Sequence, residues 1–242
     1  MARGGTLVPT PGQVLPLHGG TADSLNWAGY AITPATGITA VSSAFTVPSA
    51  GIVPPGFAAS WTGIGGYTSS DLIQAGVSEQ SAVTAPVLGP QYYAWYEILP
   101  ASETQISGCT GDANCTVTPG DKVTVNISLA GTNLWSVSIA DAGHWTWQQN
   151  IAYTSSESSA EWIQEAPTLV VQTIPAAVGN VSFGPTSTYT QNGTTYTIGG
   201  GPTAPTLINE SPGLVNEATT SPLASDNQSF NVCVYAQTCA AP

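Results

Sequence analysis

Carboxylates are scarce in this chain, which has fourteen Asp and Glu side chains among 242 residues. Two of them, Glu161 and Glu165, bracket Trp162-Ile163-Gln164. On a strand they share a face but stand roughly 13 Å apart, too far to act together on one bond. Glu97 is a third candidate, on a run where Tyr93, Trp95, Glu97 and Leu99 point one way. Burying a carboxylate beside Trp95 costs on the order of several kcal/mol unless it is hydrogen-bonded or protonated. Paired carboxyl groups, such as Glu97 and Glu165, could flank a glycosidic bond, with Trp61, Trp95 and Trp162 as sugar-stacking platforms. A carboxyl can also work with an amide, and Gln74 offers one. Its face carries Leu72, Gly76 and Ser78, so the amide has small neighbours and room around it.

Other chemistries lack their parts. A serine nucleophile needs a base, and only His18 and His144 are available. His18 lies in an irregular N-terminal stretch, His144 at a turn before Trp145, and no G-x-S-x-G turn accompanies either. Gly199-Gly200-Gly201-Pro202 lacks the Lys and the helix of a phosphate loop. No metal-ligand spacing joins the histidines to the cysteines, and neither metal nor cofactor is expected.

The elements that must position these residues are short strands. Residues 41–47 alternate, with Val41, Ser43, Phe45 and Val47 on one face. Residues 59–66 and 72–79 read as strands, the first running into a glycine turn, and 92–99 ends at Pro100. Residues 122–129 alternate most cleanly, with Val123, Val125, Ile127 and Leu129 facing inward. Asp141-Ala142-Gly143 marks a hairpin between 134–140 and 144–152. Residues 160–165 form a strand closed by Pro167, although 156–166 also suits a short helix. Further strands are expected at 180–183, 187–190, 194–198 and 230–235. Strands at spacings near ten residues indicate an all-β, single-domain antiparallel sandwich of the jelly-roll or concanavalin A-like kind, with little or no helix. Residues 1–22 are expected to form an irregular arm or propeptide remnant, and 23–242 the sandwich.

Composition narrows the partners. Charged residues make up 7% of the chain and the net charge is −12, with Arg3 and Lys122 the only basic side chains besides histidine. No basic surface exists to neutralise phosphates, which excludes a nucleic-acid partner. No apolar stretch is long enough to cross a bilayer as a helix, and no signal peptide is visible. A protein with few ion pairs loses little when its carboxylates protonate, so the chain suits acidic surroundings. Four cysteines allow three connectivities; local pairing, Cys109–Cys115 and Cys233–Cys239, is preferred, each bridge stapling a hairpin. Such bridges imply secretion into an oxidising, extracellular compartment.

Six segments then occur in the order found in the glutamic peptidases, or eqolisins, which the chain resembles over about residues 24 to 185. They are Asn26-Trp27-Ala28-Gly29, Phe45-Thr46-Val47-Pro48, Trp61-Thr62-Gly63-Ile64, Leu72-Ile73-Gln74-Ala75-Gly76, Ala94-Trp95-Tyr96-Glu97 and Ala160-Glu161-Trp162-Ile163-Gln164-Glu165. The last fifty or so residues match only loosely. The resemblance implies a pepstatin-insensitive acid endopeptidase, acting as a monomer on polypeptides, with Gln74 and Glu165 as its catalytic dyad. It also implies that Trp61, Trp95, Glu97 and Trp27 line or support the cleft. Two positions depart from the family pattern: Gly65 and Tyr93 stand where relatives usually carry Asp. Against this reading stand a retaining glycoside hydrolase using Glu97 and Glu165, and a carbohydrate-binding sandwich without catalysis.

Overall fold

A computed structural model describes residues 20–82, 89–167, 173–214 and 216–242. The strands begin with β1 (Thr21–Ser24), β2 (Trp27–Ile32), β3 (Ile38–Thr46), β4 (Phe57–Gly65), β5 (Leu72–Ala82) and β6 (Gly89–Ile98). β7 (Thr104–Gln105), β8 (Lys122–Gly131), β9 (Leu134–Asp141), β10 (Trp145–Ala152) and β11 (Ala160–Glu165) follow. β12 (Asn180–Phe183), β13 (Thr188–Gln191), β14 (Thr194–Thr197), β15 (Pro205–Glu210), β16 (Ala218–Thr220) and β17 (Phe230–Val234) complete the fold. The described residues contain no α-helix, only a 3-10 turn at Pro212–Leu214.

The strands form two layers of one continuous, curled sheet. The first runs β1-β15-β2-β11-β4-β5-β6-β7, antiparallel except where β1 joins β15. The second runs β10-β9-β8-β3, and β3 continues to β13 and β14 and to β12, β17 and β16. The contact of β15 with β16 links the layers. Between them lies the main core. Tyr30, Ile64, Ile73, Val77 and Trp162 come from the first layer, and Phe45, Val125, Ile139, Phe183 and Phe230 from the second. Period-two alternation explains this directly, since one face of each strand faces the other layer.

The first layer is buried on its other face too. Trp27, Ala31, Ala59, Trp61, Leu72, Trp95, Leu99 and Ile163 form a second apolar cluster there. Every residue of β11 is consequently buried, with β2 on one side and β4 on the other. This explains why the helical option for 156–166 is not taken: a central strand gains two ladders of hydrogen bonds and two buried faces. Leu129, expected to face inward, is 36% exposed, because the register of β8 shifts between Leu129 and Gly131. Both disulfides pair locally as expected. They close loops rather than staple hairpins: Cys109–Cys115 lies between β7 and β8, and Cys233–Cys239 ties β17 to the tail. Of the expected N-terminal arm, residues 1–19, including His18, fall outside the described residues, while Thr21 and Ala22 already belong to β1.

Candidate active site

The second face of the first layer carries the polar residues singled out above. Register puts Glu165 of β11 opposite Trp27 of β2 and Ala59 of β4. Gln74 of β5 stands opposite Gly63 of β4 and Glu97 of β6. Side chains of directly paired residues lie on the same face, so Gln74, Glu97 and Glu165 project together with Trp61 and Trp95. They open onto a cleft lined by Ala59, Gln74, Trp95, Glu97, Glu103, Glu165 and Pro167. On the same face Gly76 stands between Trp61 on one strand and Trp95 on the other, and its lack of a side chain lets β4 pack close. A Cβ at Gly76 would lie 2.2 Å from the Ser60 carbonyl oxygen and 2.6 Å from Trp61 Cβ.

Glu165 is held by neutral donors alone. Asn26 Nδ2 donates to Oε1 at 2.9 Å, and Trp61 Nε1 donates to Oε2 at 2.8 Å. Burial pushes its pKa up to about 7; the hydrogen bonds pull it back, and the charge of Glu103 adds to the rise. Glu97 is buried as well, and its Oε2 accepts from Gln74 Nε2 at 2.7 Å. Burial drives Glu97 up to about 9, opposed by the Gln74 bond and reinforced by Glu165 and Glu103. Gln74 is itself buried, and its Oε1 has no hydrogen-bond partner. The bond to Glu97 therefore orients an amide that keeps one N–H and its carbonyl oxygen for a ligand.

Trp61 and Trp27 are at most 1% exposed and pack edge-to-face, ring centroids 5.0 Å apart. They support Glu165 from behind rather than lining the cleft, whereas Trp95 does line it. Trp162, considered above as a sugar platform, points the other way into the main core and donates Nε1–H to the Ser42 carbonyl. Glu161 shares the face of Glu165 but is fully buried, and burial raises it well above the carboxylate range. Sequence reasoning assigned no role to Asn26 or Glu103. Asn26 was visible only as part of a short motif; Glu103, in the β6–β7 connection, carries no pattern that marks it.

A model of the peptidase A4 family matches residues 25–233. The chain belongs to that family, the eqolisins. This A4 peptidase is thus a glutamic peptidase, a hydrolase of peptide bonds, and the match carries the family into the C-terminal strands that resembled it only loosely. Among solved structures, scytalido-glutamic peptidase with a transition state analog inhibitor has the same fold. It is 17% identical, with a TM-score of 0.68 over 86% of this chain and 98% of that one. SCP-B, an eqolisin in complex with the tripeptide Ala-Ile-His, is 17% identical, with a TM-score of 0.63 over 87% of this chain and 98% of its own. A search of curated protein sequences found no significant match.

Family membership replaces the glycosidase and carbohydrate-binding readings. The departures from the family pattern also have structural reasons. Gly65 has φ +89°, and a Cβ there would lie 2.4 Å from the Asp71 carbonyl oxygen, so this backbone excludes an Asp. Tyr93 instead accepts from Gln80 Nε2 at 2.8 Å, and an acid reaches the cleft from another element, Glu103 in the β6–β7 connection. Away from the cleft, His144 Nδ1 lies 2.6 Å from Asp141 Oδ2. Asp121 brings a third ligand-type atom within 4.8 Å, on strand ends of the second layer that contribute nothing to the cleft.

Proposed function

We propose that this peptidase cleaves unfolded polypeptides at acid pH through water activated by Glu165, with Gln74 as its partner. The observation that carries the reading is the convergence of the two in one cleft, one a carboxyl raised by burial, the other an amide with a free oxygen. The substrate carbonyl is attacked by a water that donates one hydrogen bond to Gln74 Oε1; Glu165, protonated in acid, gives its proton to the carbonyl oxygen and takes one from the water on its second oxygen. The remaining N–H of Gln74 stabilises the charge that develops on the carbonyl oxygen. Glu165 then delivers its proton to the leaving nitrogen and recovers one from a hydroxyl of the tetrahedral intermediate as the C–N bond breaks. Glu97, neutral in acid, holds the amide in the orientation this requires. The nucleophile is water, so no acyl-enzyme forms. Two disulfides suit secretion into an oxidising compartment, and no helix among the described residues is long and apolar enough to cross a membrane.

The test is digestion of denatured protein at acid pH, with and without pepstatin, beside an oligosaccharide hydrolysis assay. The expected result is proteolysis that pepstatin leaves unchanged and no sugar release. Absence of proteolysis across the acid range would overturn the reading.

A further inference from the structure

The cleft holds one more ionisable group than the dyad and its support require. Glu103 reaches it from the connection between β6 and β7, half-buried, and lines it together with Gln74, Glu97 and Glu165. Its position is built rather than incidental. Gln80 Nε2 donates to the Tyr93 hydroxyl at 2.8 Å, which fixes the phenol near Glu103 and leaves its proton free to turn toward that carboxyl. The groups facing Glu103 are Tyr93 and Glu97 from β6 and Glu165 from β11; β5 contributes only neutral Gln74, Ser78 and Gln80. The only Lys among the described residues, Lys122, bonds Thr46 in the second layer. Three carboxyl groups thus share a cleft with no cation among the described residues to balance them, which opposes their all ionising near neutrality.

We propose that Glu103 is a positioning residue of the peptidase reaction: placed in the cleft with Glu97 and Glu165, its carboxyl sets how tightly those two hold their protons. Burial raises Glu103 to about 7, with Tyr93 opposing, so it gains its charge in the range where Glu165 loses its proton. That charge opposes ionisation of its neighbours and carries the working range toward higher pH. The inference rests on the Gln74–Glu165 reading above and adds a residue that does not touch the reacting atoms.

The experiment is the pH profile of kcat/KM on one peptide substrate for wild type, Glu103→Gln, Glu103→Asp and Glu165→Gln, with thermal melting at pH 4 for each. Glu103→Gln should move the alkaline limb down by about half to one pH unit, an activity loss of about three- to tenfold on that limb. Glu103→Asp, which keeps a carboxyl, should fall between Glu103→Gln and wild type. Superimposable alkaline limbs for folded Glu103→Gln and wild type, with Glu165→Gln inactive, would overturn this inference alone. An active Glu165→Gln would overturn the dyad and this inference with it. Should Glu103→Gln fail to melt cooperatively, the Asp variant decides: an unshifted limb there counts against the proposal.

Discussion

Glu165 keeps its proton into a range where an exposed Glu has lost it, because two neutral donors replace the water or cation that would stabilise its charge. Trp61 is the stronger lever, since its indole N–H meets Oε2 and its ring closes the site behind. Trp61→Phe removes that bond and should raise the Glu165 pKa by about half to one unit, read by carboxyl NMR titration. Glu97 can be tested by contrast. At acid pH it is a neutral hydrogen-bonding group, so Glu97→Gln should retain kcat/KM within about tenfold. Glu97→Ala, which frees the Gln74 amide to turn, should lose about a hundredfold or more. Equal losses in both variants would mean that the charge of Glu97, not its hydrogen bond, is what the site uses. At this scale the sequence was legible where motifs surround a residue, as for Gln74 and Glu165. Asn26 and Glu103 were not, because their importance comes from partners 139 residues away in one case and from a loop conformation in the other.

The elements fix how the strands under the cleft pack. β4, β5 and β6 place Trp61, Gly76 and Trp95 in one cross-strand row, and the missing side chain lets β4 close onto β5. Gly76→Ala should therefore lower stability by about 2 kcal/mol or more, seen as a reduced urea midpoint at pH 4 with unchanged slope. An unchanged midpoint would show that β4 and β5 separate freely. Alternation revealed β3 and β8 because one face of each is buried against the opposite layer. It did not reveal β1, β15 or β16. Their sequences are rich in Thr and Pro and their pairings are non-local, β1 lying parallel to β15 nearly 190 residues on, so nothing local announces them. The facing of Trp162 was missed for a related reason: β11 is buried on both faces, and burial alone does not tell which face looks into the cleft.

Across the whole molecule the scarcity of bases becomes a statement about pH. Glu79, whose Oε1 accepts from Ser60, is raised by burial to about 8, Glu97 to about 9, and Glu161 and Glu210 well above the ordinary 4.5. Each therefore binds a proton more tightly when folded than when unfolded. Stability from Glu79 and Glu97 is full below about pH 4.5, declines as pH rises above it, and is lost once pH passes their folded values of about 8 and 9, and Glu161 and Glu210 act in the same direction. Thermal melting should accordingly give a higher Tm at pH 4 than at pH 8, with proton uptake on folding in between. A Tm that rises toward neutrality would contradict the buried, protonated state of these carboxyls. The charge-poor composition anticipated a fold suited to acid, although it could not say which carboxyls sit in the interior, since that depends on register across strands far apart in sequence.

The central claim is that a buried carboxyl and an uncharged amide share the work. Its most direct test is kcat/KM at acid pH for Gln74→Ala and Glu165→Gln, with melting curves confirming that both fold. Each variant should lose at least about a thousandfold, and the double variant should lose little more than either alone, because the two act on one water. Retention of wild-type activity by either folded variant would contradict the account.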